Sequence, residues 1–168
     1  MNNAIKHAGQ YEITAIYRDG TRDTQIINNT IMTRALYEMA GHLVGRIGIE
    51  PLKIRYIALG GDGSAVSPSQ TQLGNERYRA PVIAQSATLA GRALTRFQIP
   101  EDGANFTIRE IGIFIGDATS ERNSGIMLSR ILYYRIKTNL ESLQILRRDD
   151  FLPSTDSIDE EVFDNGVR

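Results

Sequence analysis

The first part of the chain alternates between apolar and polar residues with a period of two. From Tyr11 to Arg18 the sequence YEITAIYR places apolar side chains at about every second position, as a half-buried strand does. Asp19-Gly20 follows and is a typical turn signal. This pattern predicts a β-hairpin or an edge strand near the N-terminus.

A helical period replaces the strand period after a polar loop. The apolar residues recur at spacings of four, three and four, which places them on one face of a helix: Met32, Leu36, Met39 and Leu43. Asn28 or Asn29 is a candidate N-cap, and Gly41 or Gly45 is placed to end the helix. We predict one helix whose apolar stripe covers a face of a sheet.

The remaining sequence up to residue 146 is rich in short apolar or alternating runs bounded by Gly and Pro. Pro81 favours an edge strand or a bulge, and a change of phase at Arg109-Glu110 predicts a bulge or a sheet corner. The last run is also compatible with a helix. The fold class predicted is α+β, mainly antiparallel β and sandwich-like with one packed helix. The runs are 54–59, 77–88, 92–99, 105–115, 125–136 and 140–146.

The charges divide the chain into a basic body and an acidic end. The chain has 19 Lys and Arg and 20 Asp and Glu; residues 149–168 hold 1 and 7 of these (net −6), which leaves 18 and 13 (net +5) for residues 1–148. We predict a β-rich domain over 1–148 and an extended acidic C-terminal arm over 149–168, with a disordered terminus as the alternative. Its isolated apolar residues are candidate partner contacts: Phe151, Leu152, Ile158, Val162 and Phe163.

Composition argues against several classes of chemistry. The absence of cysteine excludes disulfides and thiol nucleophiles, and two histidines are few for a metal or general-base site. No apolar run approaches the roughly 18 residues of a membrane span, and no leader-like segment is present, so we expect synthesis in the cytoplasm. The near-neutral net charge comes without a nucleic-acid readout motif. We predict no catalytic residue, no metal, no cofactor and no nucleic-acid partner.

A glycine-rich turn follows the strand at 54–59. Gly60, Gly61, Asp62 and Gly63 stand where a phosphate-binding loop would lie. A P-loop needs a lysine followed by Ser or Thr, and a dinucleotide loop opens into a helix. Neither follows here, so the sequence favours a tight turn.

Three carboxylates are candidates for the acid pair of a glycoside hydrolase. They are Asp62, Glu76 and Glu110, and the sequence does not place them together. Glu76 lies close to Arg77 and Arg79, and Glu110 is next to Arg109. Structural ion pairs are therefore the favoured interpretation.

Two motifs, in order, resemble a pattern in phage tail-fibre N-terminal domains. The first runs from Ile57 to Gly63 (IALGGDG) and, after Ser-Pro-Ser at 67–69, continues from Leu73 to Val82 (LGNERYRAPV). The second runs from Phe106 to Phe114 (FTIREIGIF). The helix at about 30–40 is similar to the one that precedes this pattern, and the resemblance covers residues 28 to 136.

The resemblance implies a domain that attaches a fibre to a tail. About 30 residues follow the matched region, which favours a separate adaptor or baseplate part over a complete fibre. Within the matched region we expect the charges of Glu76, Arg79, Arg109 and Glu110 to form a framework network that fixes a turn and a bulge.

The sequence thus favours a structural part of a virion tail that is assembled in the host cytoplasm. Its expected partners are copies of itself and other tail, baseplate or fibre proteins. A carbohydrate-binding module of the tail tip, with stacking tyrosines, is one alternative; a cell-wall hydrolase is another. The candidate tyrosines are Tyr56, Tyr78, Tyr133 and Tyr134.

Overall fold

A computed structural model describes residues 5–46, 48, 51–89 and 91–153. Within these residues one helix and ten strands follow one another in this order: β1 Ile5–Tyr17, β2 Arg22–Asn28, β3 Thr30–Ile31, α1 Thr33–Leu43, β4 Ile54–Gly60, β5 Glu76–Pro81, β6 Ala84–Ala87, β7 Arg92–Ile99, β8 Thr107–Ile115, β9 Ile126–Ile136 and β10 Glu141–Pro153. The predicted N-terminal hairpin is present as β1 and β2, with Gly20 at a φ of 85° in the turn.

The strands form two five-stranded antiparallel sheets. Sheet A has the order β2-β1-β10-β7-β6, and sheet B has the order β3-β9-β8-β4-β5. The predicted fold class, mainly antiparallel β with one helix, is confirmed. The chain passes from the edge of sheet B to the edge of sheet A between Pro81 and Ala84, and proline is compatible with such an edge because it lacks a donor for a second neighbour.

Sheet B is buried on its inner face and over part of its outer face. Its inner face and that of sheet A enclose the main core, which includes Ile13, Ile57, Phe97, Ile113 and Ile145. A second apolar cluster lies on the outer face of sheet B: Met32, Ala58, Leu73, Phe114, Ala118 and Met127. Burial on both faces explains why parts of β4 and β8 read as continuous apolar runs, because neither face needs polar side chains.

The bulge predicted in β8 is confirmed. The pairing of β8 with β9 shifts register between Ile108 and Glu110. An extra residue in one strand reverses which side chains face the core, so it produces the change of phase seen in the sequence.

The apolar stripe predicted for the helix is wrong in part. Met32 is buried, but Leu36 and Leu43 are exposed, and Leu43 is 89% accessible. The helical residues that are buried instead are Ala35, Glu38 and Gly41. The small side chains at Ala35 and Gly41 let the helix pack closely against its neighbours, including β9, while the larger apolar residues point outward.

The predicted helix start is also wrong, whereas one of the predicted stops is right. Asn28 belongs to β2, and the N-cap is Met32, which makes no side-chain cap hydrogen bond. At the other end Gly45 has a φ of 65°, and the Arg46 N–H donates to Gly41 O at 2.9 Å. This is the six-to-one hydrogen bond that closes a helix with a left-handed glycine.

The boundary placed between residues 148 and 149 does not coincide with the end of an element. β10 continues to Pro153, pairing Asp149 with Gly9 and Phe151 with His7. The last predicted strand is therefore longer than expected and is not helical. Of the predicted arm, Phe151 and Leu152 belong to this strand, while Ile158, Val162 and Phe163 lie outside the described residues.

Truncating Phe97 tests the position of the main core. Phe97 is buried between the sheets, so Phe97→Ala leaves a cavity and should lower the free energy of unfolding by about 3–5 kcal/mol. Leu89→Ala, at a fully exposed turn, is the control and should change it by less than about 0.5 kcal/mol. Chemical denaturation of both variants measures the difference; equal effects would contradict this core.

Candidate functional site

The predicted turn at Gly60 to Gly63 is organised by the carboxylate of Glu110. Glu110 Oε1 accepts hydrogen bonds from the backbone N–H groups of Asp62 at 3.3 Å and Asn75 at 2.8 Å. Its Oε2 accepts one from Gly74 N–H at 3.0 Å. One buried side chain thus fastens both ends of the loop at 61–75 to β8.

Gly60 is required by this close approach. A Cβ at Gly60 would overlap the Glu110 carboxylate and would come within 2.6 Å of Asn75 O. Backbone and carboxylate can therefore meet only where a side chain is absent. The glycine is explained by this contact with Glu110, in addition to its position at the end of β4.

Arg130, on β9, also holds the loop at 61–75 through hydrogen bonds. Its side chain is fully buried, and its Nε donates to Glu110 Oε2 at 2.9 Å. Its Nη1 donates to Ser64 O at 3.1 Å and to Gln70 Oε1 at 3.2 Å. The guanidinium therefore neutralises Glu110 and also satisfies polar groups of the loop, which a buried pair needs if it is to be tolerated.

Asp62 closes the exposed tip of the turn. Its Oδ1 accepts a hydrogen bond from the Ser64 N–H at 3.1 Å, and the Ser64 hydroxyl donates to its Oδ2. The Ser64 hydroxyl and N–H lower the pKa of Asp62 because they stabilise its charged form. Asp62 therefore stabilises the turn in its charged form, through its hydrogen bonds with Ser64.

The framework predicted from sequence is only partly assembled. Glu76 and Arg79 lie together and Glu110 lies in the adjoining cluster, but the Arg109 side chain is exposed beside Gly63. Arg109 lies in the bulge with its side chain exposed, whereas Glu110 is fully buried, so the two side chains do not share an environment. The cation that pairs with Glu110 is Arg130. On β9, Arg130 lies two residues before Leu132, which is the cross-strand partner of Glu110.

Glu76 and Arg79 form a second buried ion pair at the start of β5. Arg79 Nε and Nη2 donate to the two oxygens of Glu76 at 2.7 and 2.9 Å, a bidentate geometry. Arg79 Nη1 also donates to Ser124 O at 2.9 Å, and its guanidinium lies 4.2 Å from the centre of the Phe114 ring. The pair fixes the loop between β8 and β9 against β5.

A third cluster, which the sequence interpretation missed, joins the two sheets. Arg147 on β10 donates to both oxygens of Asp149 at 2.7 Å and to the Tyr11 hydroxyl at 3.0 Å. The Tyr11 and Ser129 hydroxyls are 2.7 Å apart, which links sheet A to β9. His7 Nε2 lies 2.8 Å from Asp149 Oδ1.

A sequence signal for this cluster did exist. Inward-facing residues of β10 occur at every second position, from Leu143 and Ile145 to Arg147 and Asp149. The alternation continues through charged residues, which the charge pattern of the sequence divides between the basic body and the acidic arm. Burial raises the pKa of Asp149, but the charge of Arg147 together with the hydrogen bonds from His7 and Arg147 outweighs burial and holds that pKa below its usual range.

An exposed apolar row runs along the second half of β9. Leu132, Tyr134 and Ile136 alternate with inward-facing residues and lie on the outer face of sheet B; Tyr134 is 63% and Ile136 62% accessible. We call these three residues the β9 stripe. A shallow groove of about 500 Å³ lies at its start, lined by Leu132 and Tyr134 with Gly63, Arg109 and Tyr133.

The tyrosines considered for carbohydrate stacking differ in exposure. Tyr133 is buried, and Tyr56 and Tyr78 are half-buried. Tyr134 alone among these four presents most of its ring to solvent. The described residues contain no group of three His, Cys, Asp or Glu side chains that could hold a metal ion, and none of their helices is both long and apolar enough to cross a membrane.

No family model, no curated protein and no solved structure matches this chain.

The two arginines beside Glu110 allow a direct test of the site. Arg130→Met should lower the free energy of unfolding by about 3–5 kcal/mol, because it leaves a buried carboxylate without its cation. Arg109→Met removes the same charge at an exposed position and should cost less than about 0.5 kcal/mol. Urea denaturation at neutral pH measures both. A larger loss for Arg109→Met would restore the pairing expected from the sequence.

The lowered pKa of Asp149 predicts a specific loss of stability in acid. Because the pKa of Asp149 is lower in the folded state than in the unfolded state, its ionisation stabilises the fold fully above about pH 4, the ordinary pKa of an aspartate. This stabilisation is lost as the pH falls through the folded-state pKa. Asp149→Asn should melt at a lower temperature at pH 7 but lose less on acidification than the unsubstituted chain. Thermal melts between pH 7 and 2 at constant ionic strength measure this, and parallel curves would contradict it.

Proposed function

We propose that this chain is a structural component of a bacteriophage tail, an adaptor or baseplate part that joins the tail to its fibres. In this role it self-associates in a symmetric ring or trimer within the virion. The observation that carries the proposal is the β9 stripe, an apolar and aromatic row displayed on a frame whose loops are fixed by buried ion pairs.

The composition of the β9 stripe suits a protein interface. Tyrosine and arginine are enriched at interfaces, and aromatic anchors supply much of the binding free energy. Tyr134 stands between Leu132 and Ile136 on β9, and Arg109 lines the groove together with Leu132 and Tyr134. Apolar side chains displayed together outside a core mark contact sites.

The rigidity of the frame supports the same role. The loop at 61–75 lies beside the stripe and is fastened at both ends to Glu110, with Arg130 beneath it. Side chains and loops that are already ordered lose little entropy when a partner binds. A small contact repeated by symmetry can then hold a ring together.

The carboxylates considered for hydrolysis are used by the frame. Glu110 accepts backbone N–H groups and Arg130, and Glu76 accepts Arg79 and the Asn123 N–H at 3.0 Å. These hydrogen bonds are those of carboxylates that specify geometry, which favours assembly over bond cleavage as their role.

The motifs that carry the family resemblance also form one unit. Gly60, Gly74 and Asn75 belong to the first motif and Glu110 to the second, and they are joined by hydrogen bonds or close contact. Together the two motifs hold the loop at 61–75 in one conformation, and an attachment domain needs loops of fixed shape. The resemblance therefore supports the proposal, because the residues that carry it are the ones that fix the loop.

Tyr134 also supports a second candidate function, carbohydrate binding. An exposed aromatic ring next to a guanidinium and a glycine turn, in a groove of about 500 Å³, suits a sugar ring. A glycan array probed with the chain and with Tyr134→Ala separates the two roles. Glycan binding that Tyr134→Ala abolishes, without self-association, would favour the second function.

A charged substitution in the stripe tests the assembly role. Tyr134→Asp should weaken self-association by at least about tenfold, because it places a desolvated charge at the centre of the interface. Its melting temperature should be unchanged, since Tyr134 is exposed. Sedimentation velocity over a range of concentrations measures the association.

Ile26→Asp is the matched control for this experiment. Ile26 is exposed on β2, in the other sheet, so the same charge there should leave association unchanged. A chain that stays monomeric at every concentration, or equal weakening by both substitutions, would contradict the proposal.

A further inference from the structure

The helix presents an unusual amount of apolar surface to solvent. Five outward positions, spaced by one, three, three and one, form one face of the helix. Among them, Leu43 is 89% accessible, and Val44, the C-cap of the helix, is 79% accessible. We call this surface the α1 face: Leu36, Tyr37, Ala40, Leu43 and Val44. An apolar helix face of this kind is stabilised when another segment covers it.

Arginines flank the α1 face at both ends. Arg34 lies at its start with a half-exposed side chain whose Nε is 2.9 Å from Glu38 Oε1. Arg46 lies at its end, with its guanidinium 4.5 Å from the centre of the Tyr37 ring. The occupant that fits such a surface has apolar residues along one side and carries negative charge.

Residues 154–168 have this composition. They contain five acidic residues and one arginine. Their apolar residues Ile158, Val162 and Phe163 are spaced by four and one, which would place them on one side of a helix. In sequence terms the segment complements the α1 face in both hydrophobicity and charge.

The position where β10 ends brings this segment to the helix. Phe151, two residues before the end of β10, lines the same cavity of about 240 Å³ as Met39 of α1. The 15 residues after Pro153 (168 minus 153) would span roughly 20 Å even as a helix, and α1, with 11 residues, is about 16 Å long. β10 therefore ends close to α1, and 15 residues are enough to match the length of α1.

We propose that residues 154–168 dock on the α1 face of their own chain. Ile158, Val162 and Phe163 cover the apolar side chains of the face, and the acidic residues lie between Arg34 and Arg46. This inference goes beyond the assembly role, because it concerns the free chain and does not require a virion. It makes the C-terminal segment a cover for a surface that is otherwise open to association.

Cysteine pairs test this docking cleanly, because the natural chain has no cysteine. In the full chain, Val44→Cys combined with Phe163→Cys should form an intramolecular disulfide under mild oxidation. The control combines Ile26→Cys with Phe163→Cys, where the first position is exposed on the edge strand β2 of sheet A. Docking should make the first pair close at least about tenfold faster than the control, because it raises the effective concentration of the two thiols.

A second measurement needs no disulfide. Replacing Ile158, Val162 and Phe163 by serine keeps the acidic charge and removes the apolar contacts, so the NMR amide signals of residues 36–44 should shift relative to those of the unsubstituted chain. The β7 signals are the internal control and should stay in place.

Three outcomes would overturn the inference. They are equal closure rates for the two cysteine pairs, a disulfide that forms only between chains, and unchanged signals at residues 36–44. If the α1 face were instead covered by the α1 face of a second copy, the second or the third outcome would be observed. Failure here, with association still lost in Tyr134→Asp, would leave the assembly role standing.

Discussion

The buried ion pair between Glu110 and Arg130 is the interaction on which the outer half of the molecule depends. Both side chains are fully buried, and together they hold the loop at 61–75 over sheet B. The loop in turn brings Leu73 onto Ala58 and Phe114, so an apolar cluster exists on a face that would otherwise be open. Removing two charges from water is costly, and the cost is offset only because the backbone of the loop uses the remaining hydrogen-bonding capacity of both groups.

The same principle recurs at the other two clusters. Glu76 and Arg79 fix the loop between β8 and β9, and Arg147 with Asp149 links the two sheets through the Tyr11 and Ser129 hydroxyls. Among the described residues, no buried side-chain nitrogen or oxygen lacks a hydrogen-bond partner. Complete pairing of buried polar groups specifies one geometry, and a fixed geometry is what a repeated subunit contact needs.

Periodicity in the sequence was enough to predict a mainly antiparallel β fold, a hairpin near the N-terminus and the bulge at Arg109-Glu110, because alternation reports directly on burial in a strand. It joined residues 77–88 in one run, whereas the structure has β5 in sheet B and β6 in sheet A. It did not predict which side of the helix faces the core, since a large residue such as Leu43 can point outward when small ones such as Ala35 make the contact. It also paired Glu110 with the wrong arginine. The partner Arg130 is 20 residues away, and only the register of β8 against β9 brings the two together.

We propose that the two-sheet frame displays the β9 stripe for contact with copies of the same chain. The most direct measurement is an electron cryo-microscopy reconstruction of the assembled protein, which shows where the stripe lies. We expect a symmetric interface of roughly 800 Å² per chain that buries Tyr134. A particle in which Tyr134 faces solvent in every copy, with neighbours contacting other surfaces, would contradict it.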